Sequence, residues 1–203
     1  TGSRKFVKLS YKNLDSNIGA IINSLDMNFS DSTITTMSPE YSYGLSVINT
    51  HLNVGGTIYL NNYSVFEKKF LNLFTNYKIT NLNGVPYFYD LLKKINFFSN
   101  KMHNLRYFTQ AGGTLGEDTR MHILNKLKKS NSKFYIMYGS TETSPRMSCF
   151  ELTKNFNVLN GCIGLPIEDY KIKIKNKKNN IGPIYFYGKN IFKGYAKSIK
   201  NLN

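Results

Sequence analysis

Apolar positions in this chain recur at two spacings that take turns along its length. Short β-branched or aromatic runs alternate with longer stretches carrying an apolar residue at every third or fourth place. Residues 5–9 form a short β-like piece. Ser10 is placed to cap a helix whose apolar positions Leu14, Ile18, Ile22 and Leu25 keep helical spacing. Residues 33–37 are β-branched and strand-like. A helix over about 43–52 stops at Gly55-Gly56, and residues 57–60 make the next strand. Ser64-Val65-Phe66-Glu67 has the form of a capping box ahead of a helical stripe of Phe66, Phe70, Leu73, Phe74 and Tyr77. Residues 79–82 read as a strand, and Pro86 suits the first turn of a helix carrying Tyr89, Leu92 and Ile95. Residues 106–109 and 133–137 are strands. Between them a helix over 117–129 is expected to turn Met121, Leu124 and Leu127 inward.

This alternation, sustained to about Met137, predicts an α/β fold with a parallel sheet flanked by helices. Past Gly161 the texture changes. Residues 170–175 and 183–187 alternate between Asn, Gly and Lys turns, which predicts the start of a smaller antiparallel β subdomain. The expected organisation is an α/β unit over residues 1–160 and the beginning of a β unit over 161–203, with no internal repeat.

Composition narrows the function classes. The chain has 203 residues, 41% hydrophobic and 14% aromatic, enough to bury a core and too apolar for disorder. No apolar run approaches the roughly eighteen residues of a membrane span. The opening Thr1-Gly2-Ser3-Arg4-Lys5 has neither an initiator Met nor an apolar leader core, so it is expected to be a cut, processed or incomplete start rather than a signal peptide. The net charge of +15 attracts polyanions in general. Yet the lysines are dispersed and arginine, the better bidentate reader, is scarce, which reads as solvated faces rather than a specific nucleic-acid site. Lys171, Lys173 and Lys175 alternate as the charged outer face of a strand. Cys149 and Cys162 sit in no CxxC pair, and His51, His103 and His122 are scattered. These are expected to be reduced thiols in a cytoplasmic setting and surface or packed histidines, not a zinc site or disulfide framework.

Ligands of α/β sheets bind beyond the carboxyl ends of the strands, and three unusual stretches fall in such places. Gln110-Ala111-Gly112-Gly113-Thr114-Leu115-Gly116 follows a strand. Its paired glycines let the backbone lie flat against a ligand, and the helix after it offers free N–H groups. Tyr138-Gly139-Ser140-Thr141-Glu142-Thr143 puts a ring, two hydroxyls and a carboxylate at another strand end. The ring suits an adenine, the hydroxyls suit phosphate oxygens and the carboxylate suits Mg²⁺. It is equally the form of a Ser/Thr helix cap. Thr1-Gly2-Ser3-Arg4-Lys5 can surround phosphates with N–H donors and one charge, although it lacks Walker A spacing.

In this order the three stretches resemble the adenylate-forming superfamily of acyl-CoA synthetases, aryl-CoA ligases and peptide-synthetase adenylation domains. Thr1-Gly2-Ser3-Arg4-Lys5-Phe6-Val7 looks like the second half of its SGTTGxPKxV phosphate loop, with Arg4 at the Pro. The run from Leu9 to Leu14 resembles its LSHxNL continuation with Tyr11 at the His, and Tyr41-Ser42-Tyr43-Gly44 resembles HxxG with Tyr41 at the His. Ala111-Gly112-Gly113 looks like the adenine loop, and Tyr138-Gly139-Ser140-Thr141-Glu142 fits YGxTE at each defined position. Ile163-Gly164-Leu165-Pro166 resembles VGxP, and the stretch from Gly182 to Tyr195 resembles GEIxxxGxxxxxGY with Pro183 at the Glu.

The resemblance implies a ligase that activates a carboxylic acid with ATP and Mg²⁺ and passes the acyl group to coenzyme A or to the phosphopantetheine of an acyl carrier protein. By position, it implies that Gly2, Ser3 and Lys5 surround the β/γ phosphates and that Thr141 contacts the α-phosphate. Glu142 would hold Mg²⁺, and Tyr138-Gly139-Ser140 with Ala111, Gly112 and Gly113 would take the nucleotide. Tyr41, Tyr43 and Gly44 would border the acid. Residues 1–160 then become the nucleotide-binding unit. The ribose-binding Asp expected after Tyr195 and the mobile C-terminal subdomain with its Lys do not occur before Asn203. The chain is therefore expected to be a central piece of such an enzyme, weakly active or inactive by itself. The alternatives are an inactive relative or a basic nucleic-acid-binding module.

Overall fold

A computed structural model describes residues 5–99, 104–128, 130–154, 161–168, 170–179, 181–198 and 201. The elements run β1 (Phe6–Val7), α1 (Tyr11–Leu25), β2 (Ser32–Ile34), α2 (Ser42–Asn53), β3 (Thr57–Tyr59), α3 (Lys68–Asn76), β4 (Asn81–Gly84) and α4 (Pro86–Lys94). They continue as β5 (Tyr107–Gln110), α5 (Glu117–Leu127), β6 (Lys133–Tyr138), β7 (Ser148–Glu151), β8 (Leu165–Pro166), β9 (Lys171–Ile174), β10 (Ile184–Tyr187) and β11 (Tyr195–Ala196).

The central sheet has the order β4-β5-β6-β7-β8, parallel from β4 to β6 and antiparallel from β6 to β8. The strands β2 and β3 form a separate parallel pair. A polar seam sews that pair to β4. Thr80 donates its N–H to the Ser32 carbonyl at 2.9 Å, Ser32 N–H donates to the Thr80 hydroxyl at 2.9 Å, and the Asn83 amide reaches the Thr33 hydroxyl at 3.2 Å. Side chains here replace part of a strand ladder, so the buried Asn81 and Asn83 are satisfied rather than orphaned.

Both faces of the sheet are covered, so its strands alternate between two cores. Phe108 and Phe134 face α3, α4 and α5, meeting Phe70, Leu92, Ile123 and Leu124. Tyr107, Tyr135 and Met137 face α1 and α2, meeting Ala20, Ile21, Tyr43 and Val47. The antiparallel unit expected near the C-terminus is the ribbon β9–β10, in which Lys173 faces Tyr185 and Lys171 faces Tyr187. The short β8 lies past the change of texture at residue 161 yet pairs with β7, so the central sheet runs across that point. At the other end β1 pairs antiparallel with β11, Phe6 opposite Ala196, closing a chain-long loop. No described helix is long and apolar enough to cross a membrane.

Several expectations shift in detail. Ser10 does cap α1, in a reciprocal box with Asn13. The buried face, however, is Asn13, Asn17, Ala20, Ile21 and Leu25, and Leu14, Ile18 and Ile22 are only half-buried beside it. The asparagines explain the offset. The Asn13 amide donates to the Lys189 carbonyl at 2.7 Å, and Asn17 exchanges two bonds with the Arg146 backbone. In α5, Met121 is exposed and Ile123 takes the inward place. The Glu67 carboxylate does reach the Ser64 N–H at 2.7 Å, but α3 begins after that turn, which leaves Phe66 exposed. Cys149 and Cys162 are both free, and burial raises the Cys149 thiol to about 12. His51 is packed, its ring bonded to Val47 O and the Asn81 amide, and burial lowers its pKa. His103 lies outside the described residues.

One ion pair ties the starts of β2, β4 and β5 together. Arg106 grips both oxygens of Asp31 at 2.6 and 2.7 Å, and Asp31 also accepts from the Thr80 hydroxyl and the Asn28 N–H. Asp31 is wholly buried, whereas the Arg106 side chain keeps 36% of its surface. Removing Arg106 strands a buried anion, while removing the charge of Asp31 leaves a cation in reach of water. Arg106→Leu is therefore expected to cost about 3 kcal/mol or more and Asp31→Asn less, about 1 kcal/mol, read from urea unfolding. The reverse order would contradict this account of the pair.

Candidate nucleotide site

The carboxyl end of β5 is held from three sides. The Thr109 hydroxyl donates to Asn83 Oδ1 at 2.5 Å, from β4. The Tyr89 hydroxyl, from α4, donates to the Thr109 carbonyl at 2.7 Å. The Tyr43 Oη, from α2, lies 2.6 Å from the Thr109 hydroxyl and 2.9 Å from its carbonyl. With the Thr109 proton committed to Asn83, Tyr43 is the donor, and burial raises the pKa of its phenol. Arg146, itself buried, places its guanidinium 4.7 Å from the Tyr43 ring centre, and burial lowers its pKa.

From this base the loop Ala111-Gly112-Gly113 leaves the sheet. Gly112 has φ +85°, and a Cβ there would strike the Tyr41 hydroxyl, so the position suits glycine on both counts. Gln110 closes the loop with a bond from Nε2 to the Gly113 carbonyl at 2.8 Å. Ala111 is buried, and Gly112 and Gly113 are exposed.

The second loop leaves β6 at Tyr138, which is 41% exposed. A Cβ on Gly139 would run into the Pro145 carbonyl, so the two limbs of the loop touch at backbone distance. Ser140 caps a 3-10 turn over Thr141–Thr143 in a reciprocal box with Thr143. The helix-cap reading of this stretch is realised by Ser140 and Thr143, which leaves the Thr141 and Glu142 side chains outside the cap. Asn190, wholly buried, donates from its amide to the carbonyls of Thr143 at 2.5 Å and Arg146 at 3.1 Å.

The pairing of β1 with β11 brings the N-terminal stretch to this second loop. Lys5 Nζ sits 5.2 Å from the Tyr195 ring centre, and the Tyr195 hydroxyl donates to Glu142 Oε1 at 2.7 Å. The Phe192 N–H donates to the Glu142 carbonyl at 2.8 Å. The Ser42 hydroxyl is 3.2 Å from that of Thr141. Lys5, Thr141 and Glu142 therefore lie along one connected rim. Gly2 and Ser3 lie outside the described residues.

The two loops share a cavity of about 360 Å³. Gln110, Gly112, Gly113, Leu115, Ile136, Met137, Tyr138 and Gly139 line it, closed by Phe150 and Leu152. Its size lies within the range of small-ligand sites, and the two exposed glycines present flat backbone to it. Of the three residues expected beside the acid, Tyr41 is at the surface against Gly112. Tyr43 and Gly44 are buried, Tyr43 toward Thr109 and Gly44 against Ser38 and Met37.

The donors around Glu142 are oxygens. Among the described residues no cluster of three or more His, Cys, Asp or Glu could hold a metal alone. One carboxylate beside the hydroxyls of Ser140 and Thr141 fits Mg²⁺, which keeps phosphate and water oxygens as its other ligands. The Tyr195 hydroxyl bond holds the Glu142 carboxyl below its usual range, which keeps it charged. Tyr195, Asn190 and Gln110 were not foreseen as site residues. Tyr195 closes the last motif of the sequence, and Gln110 opens the glycine loop, but neither position reveals its partner.

The AMP-binding enzyme family matches residues 1–196. Solved structures share the fold. o-Succinylbenzoate coenzyme A synthetase from Bacillus subtilis, solved with ATP and magnesium ion, aligns with TM-score 0.77 at 20% identity over 94% of this chain and 40% of its own. ATP-bound MatB from Rhodopseudomonas palustris aligns with TM-score 0.76 at 24% identity over 96% and 39%. A putative long-chain-fatty-acid CoA ligase from Rhodopseudomonas palustris aligns with TM-score 0.78 at 15% identity over 94% and 47%. The chain thus spans less than half the length of these structures. No curated protein sequence matches it.

The bond from Tyr195 to Glu142 gives a direct expectation. In Tyr195→Phe the Glu142 carboxyl loses its donor, so its pKa should rise toward the ordinary carboxylate value. The charge and any stability tied to it are then lost at a higher pH as the solution is acidified. NMR titration of the carboxyl carbon reads this, and an unchanged pKa would show that the hydroxyl does not act on it.

Proposed function

The chain belongs to the AMP-binding enzyme family, and on that premise we propose that it forms the nucleotide-binding part of an ATP-dependent ligase that activates a carboxylic acid. The observation that supports this most is the shared cavity of the Gly112-Gly113 and Tyr138-Gly139 loops, with Lys5 and Glu142 joined through Tyr195 on the adjoining rim.

In this reading the adenine lies between the Tyr138 ring and the Ala111-Gly112-Gly113 backbone, beside Gly139 and Ser140. The Thr141 hydroxyl, free to rotate between Ser42 and a ligand, orients the α-phosphate. Lys5, exposed at the chain's start, neutralises the β/γ phosphates together with Gly2 and Ser3. Glu142 holds Mg²⁺. Tyr41 borders the acid, with Tyr43 and Gly44 behind it as buried support. ATP supplies an electrophilic α-phosphorus: the acid's carboxylate oxygen bonds to it, pyrophosphate leaves, and an acyl-adenylate results. The protein's part is positioning and charge neutralisation, the usual sources of catalysis in transfers at phosphorus. A thiol of coenzyme A, or of the phosphopantetheine arm of an acyl carrier protein, then takes the acyl group and releases AMP. The family's C-terminal subdomain would act with residues 1–160 in that second step.

One surface favours a rival reading. On the ribbon β9–β10, Lys175 lies 4.5 Å from the Tyr185 ring centre and Lys173 lies 5.9 Å from that of Tyr187, an exposed basic and aromatic face of the kind that binds single-stranded nucleic acid. Calorimetry separates the two. The nucleotide reading expects ATP to bind in the presence of Mg²⁺, with Glu142→Gln weakening it about tenfold, the scale of one charged contact, and with little effect when Mg²⁺ is withheld. Oligonucleotide binding that falls steeply with salt, with ATP binding indifferent to Glu142, would favour the ribbon instead.

A further inference from the structure

We propose that Gln110 reads position 6 of the bound purine and selects a 6-amino over a 6-oxo base. This rests on the reading of the cavity as a nucleotide site and adds to it a residue that sets which base is accepted.

Side chains alternate along β5. Thr109 points toward α2, where Tyr43 and Asn83 hold it, so Gln110 points to the opposite face, into the wall of the cavity. Its register neighbours are Gly84 and Ile136, and the cavity wall is largely apolar, with Leu115, Ile136, Phe150 and Leu152, and also includes the buried Arg120. A wholly buried amide on such a wall needs all of its polar atoms satisfied. One end is: the atom facing the Gly113 carbonyl must be the donor Nε2, since a carbonyl only accepts. That bond fixes the flip of the amide and leaves Oε1 as the remaining acceptor. Oε1 is buried and has no hydrogen-bond partner among the described residues.

A buried acceptor without a donor carries an unfavourable desolvation cost that a bound donor removes. Within reach of a base lying on Gly112-Gly113, the chemistry that fits is an exocyclic amine. Adenine offers one at position 6. A 6-oxo purine brings a second acceptor to the same place, and a purine bare at position 6 leaves Oε1 unpaired. Sites that hydrogen-bond a ligand N–H discriminate strongly against analogues lacking it, because the protein group is then stranded. The bond from Nε2 to Gly113 also couples base reading to the loop that supports the base.

Calorimetric titration of the 203-residue chain, with Mg²⁺ present, against ATP, purine riboside triphosphate and inosine triphosphate tests this without disturbing the protein. The wild-type chain is expected to prefer ATP to each of the other two by about tenfold or more. In Gln110→Met, which keeps the length and removes both polar atoms, ATP alone should weaken, so that both preferences shrink to within about threefold. Retained binding of the other two nucleotides shows that the variant is folded. A purely structural Gln110 predicts instead that all three weaken together with the preferences kept, and this overturns the proposal. So does a wild-type chain that binds all three alike, a result that leaves the nucleotide site itself standing. Failure of the wild-type chain to bind any of them overturns the nucleotide reading and the role of Gln110 with it.

Discussion

The enclosed carbonyl and hydroxyl of Thr109 are the fixed point of the rim proposed to hold the nucleotide. Sheet ends are where backbone groups run out of strand partners, and a buried group left unmet costs about 1–3 kcal/mol. Here the end of β5 is met by Asn83 from β4, Tyr89 from α4 and Tyr43 from α2. Each bond alone is modest. Together they form a connected buried network, and such networks hold geometry more firmly than their separate bonds suggest. The glycine loop begins two residues later, at Ala111, so its starting direction is set by these buried groups.

The second constraint is topological. Lys5 and Tyr195 are almost a chain length apart, yet the short ladder between Phe6 and Ala196 places them beside Glu142. Asn190 and Phe192 add backbone contacts to the same turn. The Thr141–Thr143 turn is therefore held both by its own cap and by the C-terminal segment. A cation, a carboxylate and a phenol meet at its edge. The large positive charge of the chain biases this rim toward anions in general, and in the proposed reading the Glu142 carboxylate suits a phosphate-bound cation.

Much of this was legible in residues 1–137 because both helix and strand periods are strong there and turn residues punctuate them. The same chain hides β7 and β8, which are four and two residues long and carry no alternation to read. The inward face of α1 agrees with the periodicity at Leu25 but is offset by one position before it, because Asn13 and Asn17 occupy its first turns; a polar residue that is buried through long-range bonds looks exposed to any periodicity argument. Met121 and Ile123 in α5 exchanged places for a related reason: the helix buries Thr119 and Arg120, which shifts its inward stripe. The two loops of the site were visible as motifs, since glycine, hydroxyl and carboxylate types declare themselves. Their supports, Thr109 with Tyr43 and Tyr195 with Glu142, depend on distances that no local pattern encodes.

The central claim is that segments remote in sequence act as one nucleotide rim. Hydrogen–deuterium exchange of the chain with and without ATP and Mg²⁺ addresses it most directly. The account predicts that exchange slows together in residues 111–116, 138–143 and 193–196. Slowing confined to one of these segments, or found instead in residues 171–187, would contradict it.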